Sequence, residues 1–222
     1  MFRDIPQAVQ VTQGHLKALE AWRNAQGQEH RRLRQVTPET GKLLAILLAG
    51  CPAGDAAEVG TGAGFSALWL ALACRSTGRR LTTFERDPAK AELARHSLDA
   101  GAVLDVVTVA EGEGVAGLAT LPALAFCLID GAPADARPAY EQALARLVPG
   151  GLVCVVLPEG VPANVVVEKK QNPDEAPDLT ALPPDIIEFR RFLFDAEMDP
   201  RVDAVSLPLE GTSLLICRKV SQ

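Results

Sequence analysis

The residues best suited to chemistry in this chain lie around a glycine-rich turn. In the run Ala57-Glu58-Val59-Gly60-Thr61-Gly62-Ala63-Gly64-Phe65-Ser66, an apolar strand pattern breaks into glycines and then opens a helical pattern. Glycine lets a backbone approach a ligand where a Cβ would collide, and the first N–H groups of the following helix point at it. The segment therefore predicts a cradle for a small molecule.

The glycine spacing separates two classes of ligand. A dinucleotide fingerprint needs its third glycine one position later than Gly64, and this chain has Phe65 there. A nucleotide-linked oxidoreductase is therefore the less favoured interpretation, and it is kept as an alternative.

Short apolar runs alternate with helical patterns along the chain, which is typical of a parallel sheet wrapped by helices. We predict a single domain over 1–222, with 1–37 as an N-terminal helical extension and a Rossmann-like α/β fold. Its seven-stranded, mostly parallel sheet would carry helices on both faces and end in an antiparallel strand pair. The predicted strands are 55–59, 80–85, 103–109, 123–129, 152–157, 202–207 and 213–218, and the predicted helices are 7–25, 38–48, 65–74, 88–100, 114–119, 138–147 and 186–197.

Composition limits the partners and the compartment. The 222 residues carry a formal charge of −6, which argues against general affinity for nucleic acid or an anionic membrane. The N-terminus has no apolar leader pattern and no segment approaches a membrane span, so we expect a cytoplasmic protein. The five cysteines form no C-x-x-C pair and are predicted to be buried small hydrophobes.

The run E-V-G-T-G-A-G-F-S resembles motif I of the class I S-adenosylmethionine-dependent methyltransferases, and its Phe-Ser ending is similar to the catechol and caffeoyl-CoA O-methyltransferase branch. Gln35–Gly41 resembles that branch's segment before the first core helix, which places Val36 at one lip of the cofactor pocket. Asp199–Val202 with Leu207–Gly211 resembles its closing hairpin. The resemblance spans about residues 35–218. It implies methyl transfer from S-adenosylmethionine to a small-molecule acceptor, by a homodimer with contacts around Trp22.

The resemblance also implies contacts for the methionine part of the cofactor. Gly60 and Gly62 would face it, and Ser66 would donate to its carboxylate at the helix N-terminus, where an anion is favoured. A cap for the helix is the simpler role for Ser66. Glu58 would bond the amino group, directly or through water, or else only orient the turn.

Further contacts concern the adenosine part. Glu85 closes the second strand, where a carboxylate can accept both ribose hydroxyls; a solvated strand-end charge is the alternative. Gly112 and Glu113 occupy the place where the branch holds adenine. The complete predicted cofactor set is Val36, Glu58, Gly60, Thr61, Gly62, Ser66, Glu85, Arg86, Gly112, Glu113 and Asp130.

The chain departs from the branch where chemistry on the acceptor would occur. Metal-dependent members hold Mg²⁺ with a strand-end Asp and a following Asp-Asn pair, and oxygen ligands suit that cation. Here Asp130 supplies the first ligand, but Val156 and Leu157 stand at the pair, and Pro133 replaces the branch's Lys. We therefore predict no metal site.

Asp130 is the remaining catalytic candidate, as a group that orients the acceptor or acts as a base. A structural Asp that caps the next turn is the alternative. Two hypotheses follow: a metal-independent O-methyltransferase, or a non-catalytic protein that only binds S-adenosylmethionine.

Overall fold

The computed structural model describes residues 6–25, 35–157 and 183–221. Their seven strands belong to one mixed sheet. Backbone contacts divide the chain into two compact units, Met1–Gly50 with Asp55–Gly114 and Cys51–Gly54 with Val115–Gln222. The prediction of a single domain stays a prediction.

The first unit contains three parallel strands in the order β3-β2-β1. The register pairs Glu58 with Thr83 and Val59 with Phe84, so Glu58 and Thr83 share one face of the sheet. The elements of this unit are α1 (Gln7–Ala25), α2 (Pro38–Ala49), β1 (Asp55–Val59), α3 (Phe65–Thr77), β2 (Leu81–Glu85), α4 (Pro88–Ala100) and β3 (Val107–Glu111).

Two helices of this unit begin with a side-chain cap followed by proline. The Thr37 hydroxyl accepts from the Thr40 N–H at 3.2 Å, and the Asp87 carboxylate accepts from the Ala89 N–H at 2.9 Å. Such caps satisfy donors that the first helical turn leaves free, and proline in that turn has none to lose. These signals explain why the predicted starts of α2 and α4 are confirmed.

Helix α2 packs closely on α3 through a glycine. A Cβ at Gly41 would collide with the indole ring of Trp69, which is fully buried. The absence of a side chain at Gly41 therefore sets the approach of the two helices. Trp69 is therefore a packing residue of this helix pair.

The second unit contains the strand order β4-β5-β7-β6. Strand β5 runs parallel to β4 and antiparallel to β7, and β6 pairs antiparallel with β7, which confirms the C-terminal antiparallel pair. The short α5 (Gly114–Leu118) leads into this unit. Its other elements are β4 (Leu124–Ile129), α6 (Pro133–Arg146), β5 (Leu147–Val156), α7 (Pro184–Glu197), β6 (Val202–Leu209) and β7 (Thr212–Lys219).

The segment between α7 and β6 is tied to α6 by a charged network. The Arg201 guanidinium donates to Asp199 at 2.7 Å and to Glu141 at 2.8 Å, and the Tyr140 hydroxyl donates to Asp199 at 3.2 Å. The neighbouring Arg201 holds the pKa of Asp199 below its ordinary value. The hairpin segment recognised in the sequence is therefore anchored by its own polar residues.

Three predicted starts were wrong by four or five residues, and several other ends differ by one to three residues. Strand β3 begins at Val107 rather than 103, because Val103 belongs to the turn that ends α4: its N–H bonds to the Leu98 carbonyl at 3.0 Å, past Ala102 at φ 51°. Helix α6 begins at Pro133 rather than 138, and Pro138 lies inside it. Strand β5 begins at Leu147 rather than 152, although Gly150 has φ 80°.

The cysteines behave as predicted. All five are buried and free of disulfides. Burial raises the pKa of the Cys154 thiol well above its ordinary value, so it stays a neutral, unreactive side chain. No helix of the described residues has the length and apolar character needed to cross a membrane.

Candidate functional site

Glu58 lies fully buried one residue before the end of β1. The Thr83 hydroxyl, beside it on β2, donates to Oε2 of Glu58 at 2.6 Å. The hydroxyl oxygens of Thr61 and Thr83 are 2.5 Å apart. Because a hydroxyl carries one proton, Thr61 must be the donor in this second bond. The glycine turn is thereby connected to both strands.

The other oxygen of this carboxylate is unusual. Oε1 of Glu58 is buried and has no hydrogen-bond partner among the described residues. Burial raises the pKa of Glu58 to about 7, against the hydroxyls of Ser66 and Thr83, which favour the ionised form; the charge of Glu85 raises the pKa further. A buried acceptor without a donor is costly, so this atom suits a ligand that brings a donor.

All three glycines of the turn have positive φ, with Gly60 at 94°, and Gly62 and Gly64 differ in what surrounds them. Gly62 has φ 55°, and a Cβ there would meet nothing within 4 Å. Gly64 has φ 85° at the N-cap of α3, and its Cβ would lie 3.1 Å from the Cα of Ala94 in α4. Gly64 therefore permits close helix packing, whereas Gly62 borders open space that a ligand can enter.

Glu85, nearly buried at the end of β2, holds the turn from the other side. Its Oε2 accepts from the Gly62 N–H at 2.8 Å, and its Oε1 accepts from the Asp87 N–H at 3.0 Å. Each carboxylate oxygen has two lone pairs, so each retains one for a further donor. A vicinal diol would match that pair of acceptors.

Other predicted residues lie around this centre. The Gly112 N–H bonds to the Glu85 carbonyl at 2.9 Å, which carries the chain after β3 to the end of β2. Arg86 and Glu113 form an ion pair of 3.8 Å with both side chains more than half exposed. Val36 is buried just before α2.

Ser66 does not cap α3, so that alternative was wrong. The N-cap is Gly64, which makes no side-chain hydrogen bond. Ser66 is buried in the first turn of the helix, and its hydroxyl acts on the pKa of Glu58. This position is compatible with a ligand contact at the helix N-terminus.

The strand ends of the second unit are different. Asp130 directly follows β4, and β5 ends at Val156. The register pairs Ile129 with Val155, so Asp130 and Val156 are the next residues of the two strands. Leu157 is buried, and its N–H bonds to the Ser213 carbonyl at 2.9 Å. Neither apolar side chain can ligate a metal.

Apart from Asp130, the positions of the branch's metal ligands hold the apolar Val156 and Leu157. Pro133 is the first residue of α6, whose N-cap is Ala132 rather than Asp130. Within 6–25, 35–157 and 183–221, no group of three or more His, Cys, Asp or Glu side chains is arranged to hold a metal ion. The residues present do not fit the branch's Mg²⁺ site.

The structure thus brings most predicted cofactor residues together in the first unit, and places Asp130 in the second. Thr83 was missed by the sequence analysis. Its signal was available: on an alternating strand, Thr83 shares a face with Glu85, two residues away. Only the register with β1 shows that this face also carries Glu58.

Comparison with known proteins agrees with this geometry. Residues 57–155 match the protein family described as "Methyltransferase domain". A "Catechol O-methyltransferase" of Mycobacterium tuberculosis is 37% identical over 122 residues, 54% of this chain and 55% of that protein. The chain thus spans about half the length of such curated relatives. A "Putative O-methyltransferase" of Mycobacteroides abscessus is 31% identical over 81% of this chain and 79% of its own length.

Solved structures show the same fold. The crystal structure of an O-methyltransferase from Bacillus cereus, in complex with SAH, has a TM-score of 0.74 with 22% identity, and covers 100% of this chain and 94% of its own. The chain belongs to the class I S-adenosylmethionine-dependent methyltransferases and is similar to the catechol O-methyltransferases among them.

Proposed function

We propose that this protein transfers the methyl group of S-adenosylmethionine to an oxygen of a small-molecule acceptor. The observation that carries the proposal is the buried, unpartnered Oε1 of Glu58, close in sequence to a glycine turn with open space at Gly62. The names of the relatives support oxygen as the receiving atom.

The residues of the first unit fit the cofactor. Glu58 would accept from its ammonium group, and Ser66 with the first N–H groups of α3 would bind its carboxylate. Glu85 would accept from the two ribose hydroxyls. When bound, S-adenosylmethionine supplies an electrophilic methyl group on a cationic sulfur.

The remaining predicted contacts complete the pocket in this proposal. Gly112 and Glu113 would border the adenine ring, with Arg86 at the exposed rim beside Glu113. Val36 would form the opposite lip. Positioning and water exclusion are the protein's main contributions to such a transfer.

For the acceptor, we propose Asp130 as the group that orients it or accepts its proton. No step runs through a metal, because Val156 and Leu157 offer no oxygen ligands next to Asp130. Glu159 and the other acidic residues of 158–182 lie outside the described residues.

Two further proposals concern the protein in the cell. We propose a homodimer, as the resemblance to the branch implies; the Trp22 side chain named for this contact lies outside the described residues. Light scattering that gives a monomer mass at high micromolar concentration would contradict it. We also propose a cytoplasmic location, which suits five buried free thiols; cell fractionation tests it.

Calorimetry with S-adenosylhomocysteine (SAH) and with NAD tests the binding part of the proposal. We expect SAH to bind in the micromolar range and NAD not to bind. Tight binding of NAD without binding of SAH would favour the oxidoreductase instead.

Consumption of S-adenosylmethionine with a panel of phenols, alcohols and amines tests the transfer. We expect methylation of at least one hydroxyl compound. Binding of SAH without turnover of any acceptor would favour the non-catalytic binding protein. Methylation confined to amines would contradict oxygen as the receiving atom.

A further inference from the structure

A line of three hydrogen-bonding side chains connects the glycine turn to the floor of the site. It runs from Thr61 in the turn through Thr83 on β2 to Oε2 of Glu58 on β1, and all three residues are buried. With Glu58 ionised, each hydroxyl donates toward the carboxylate. Thr83 donates to Glu58 at 2.6 Å, and the Ser66 hydroxyl on α3 also favours the ionised form of this carboxylate.

This arrangement makes the two oxygens of Glu58 unequal. Oε2 is occupied by Thr83, and Oε1 has no partner among the described residues. A carboxylate with one oxygen fixed is restricted in rotation, so its other oxygen has a defined direction. Such an oxygen can receive one strong donor, and a cationic amine is the donor with the largest electrostatic gain.

We propose that Thr83 is a positioning residue, which fixes Glu58 so that Oε1 receives the cationic amine of the bound ligand and makes its binding expel a proton from Glu58. The proposal rests on the proposed function, in which the amino-acid end of S-adenosylmethionine or SAH binds here. The proton passes from the Glu58 carboxyl group to solvent, and the ligand's ammonium group keeps its own.

The charges around Glu58 determine the direction of this coupling. Burial and the negative charge of Glu85 on β2 raise the pKa of Glu58, while the hydroxyls of Thr83 and of Ser66 on α3 lower it, with a result of about 7. A fraction of the ligand-free molecules therefore carries the proton near neutral pH. An ammonium group at Oε1 favours the ionised form, so binding releases the remaining protons.

Calorimetric titration with SAH at pH 7, in buffers of different ionisation enthalpy, measures the released protons. We expect the natural protein to release a fraction of a proton per SAH bound, larger at pH 6 than at pH 8, and an affinity that rises between these pH values. The SAH affinity should increase by at most about tenfold per pH unit, because one proton is released. Glu58→Gln should release no proton and bind with a flat pH profile.

Thr83 variants separate positioning from general stability. Thr83→Val removes the hydroxyl, so we expect weaker SAH binding, a pH profile moved to higher pH and more protons released at pH 7 than by the natural protein. Thr83→Ser keeps the hydroxyl and should restore the natural profile. Thr82→Val is the matched control, since Thr82 pairs with Ala57 on the opposite face and should leave the profile unchanged.

The outcomes are distinct. Failure of the natural protein to bind SAH would overturn the proposed function. SAH binding with no proton release, or a natural pH profile in Thr83→Val, would overturn this inference and leave cofactor binding intact. If Thr83→Val does not fold, the comparison of the natural protein with Glu58→Gln remains. Release of the same number of protons by both would overturn this inference.

Discussion

The carboxyl ends of the strands carry different chemistry in the two units. In the first unit, Glu58 and Glu85 stand at or near strand ends, and each accepts hydrogen bonds from side chains or backbone N–H groups around the glycine turn. In the second unit, Asp130 follows β4, but β5 ends on Val156 with Leu157 next. The first unit thus offers the acceptors that we propose for the cofactor, whereas Val156 and Leu157 offer no oxygen ligand beside Asp130. The two ends of the sheet can therefore be tested separately.

If the turn of the first unit is as constrained as its contacts indicate, Gly64→Ala should give the largest effect. An alanine at φ 85° is strained by about 1–2 kcal/mol, and its Cβ crowds the Ala94 backbone. We expect a loss of about 3 kcal/mol in the free energy of unfolding by urea. Gly62→Ala, in open space, should lose only about 1 kcal/mol. Gly131→Ala, exposed in the second unit, should change stability by less than about 0.5 kcal/mol. Equal losses of unfolding free energy in the three variants would contradict the proposed difference between the two units.

The buried carboxylate of the first unit should make stability depend on pH. The pKa of Glu58 is about 7 in the folded protein and 4.5 ordinarily, so the folded state binds more protons between these values and this group's contribution falls as pH rises through them. At about 1.4 kcal/mol per pKa unit, the difference between these two pKa values corresponds to a cost of roughly 3.5 kcal/mol well above pH 7. Compared with the natural protein, the ligand-free Glu58→Gln variant should therefore gain more stability at pH 8 than at pH 5, as measured by thermal unfolding. The same stability difference from the natural protein at both pH values would contradict this.

Removal of Glu85 should weaken the first unit's ligand site. Glu85→Ala loses the proposed bonds to the ribose and also the acceptor for the Gly62 N–H. We expect SAH affinity to fall by about 1–3 kcal/mol, which is roughly 5- to 150-fold. Glu92→Ala, an exposed carboxylate on α4, is the control and should bind SAH normally. Unchanged affinity in Glu85→Ala would mean that Glu85 only supports the glycine turn and does not contact the ligand.

Removal of divalent metal ions should not change the rate of methyl transfer, because of the residues at the strand ends of the second unit. With apolar side chains at Val156 and Leu157, a divalent ion near Asp130 would be held by one carboxylate and water, which is too little to retain Mg²⁺. Methyl transfer should therefore proceed equally with and without EDTA, and catechols should be poor acceptors. Catechol methylation that EDTA abolishes and Mg²⁺ restores would show that ligands come from elsewhere, such as Glu159.

Local signals explain why much of the fold could be predicted from the sequence. Thr37 with Pro38 and Asp87 with Pro88 mark helix starts, because caps and first-turn prolines act within four residues. Errors arose where an apolar residue or a proline has two possible roles. Val103 could belong to a strand or to a helix-ending turn, and Pro138 could start a helix or lie within one.

The candidate site was predicted residue by residue, but not as a set of contacts. The glycine turn and Glu85 carry recognisable patterns, whereas the bond from Thr83 to Glu58 depends on the register of two strands 25 residues apart. That register results from packing over the whole unit, so no local pattern encodes it. The role of Thr83 therefore emerged only from the structure.

The packing of Trp69 against Gly41 provides an optical reporter within the protein. The chain has two tryptophans, and Trp69 is the fully buried one among the described residues, three positions after Ser66 on α3. Its emission should therefore be blue-shifted and shielded from aqueous quenchers. Replacing Trp22 with Phe would leave a single fluorophore close to the N-terminus of α3. Ligand association could then be followed in real time by the intrinsic fluorescence of Trp69, without an added label.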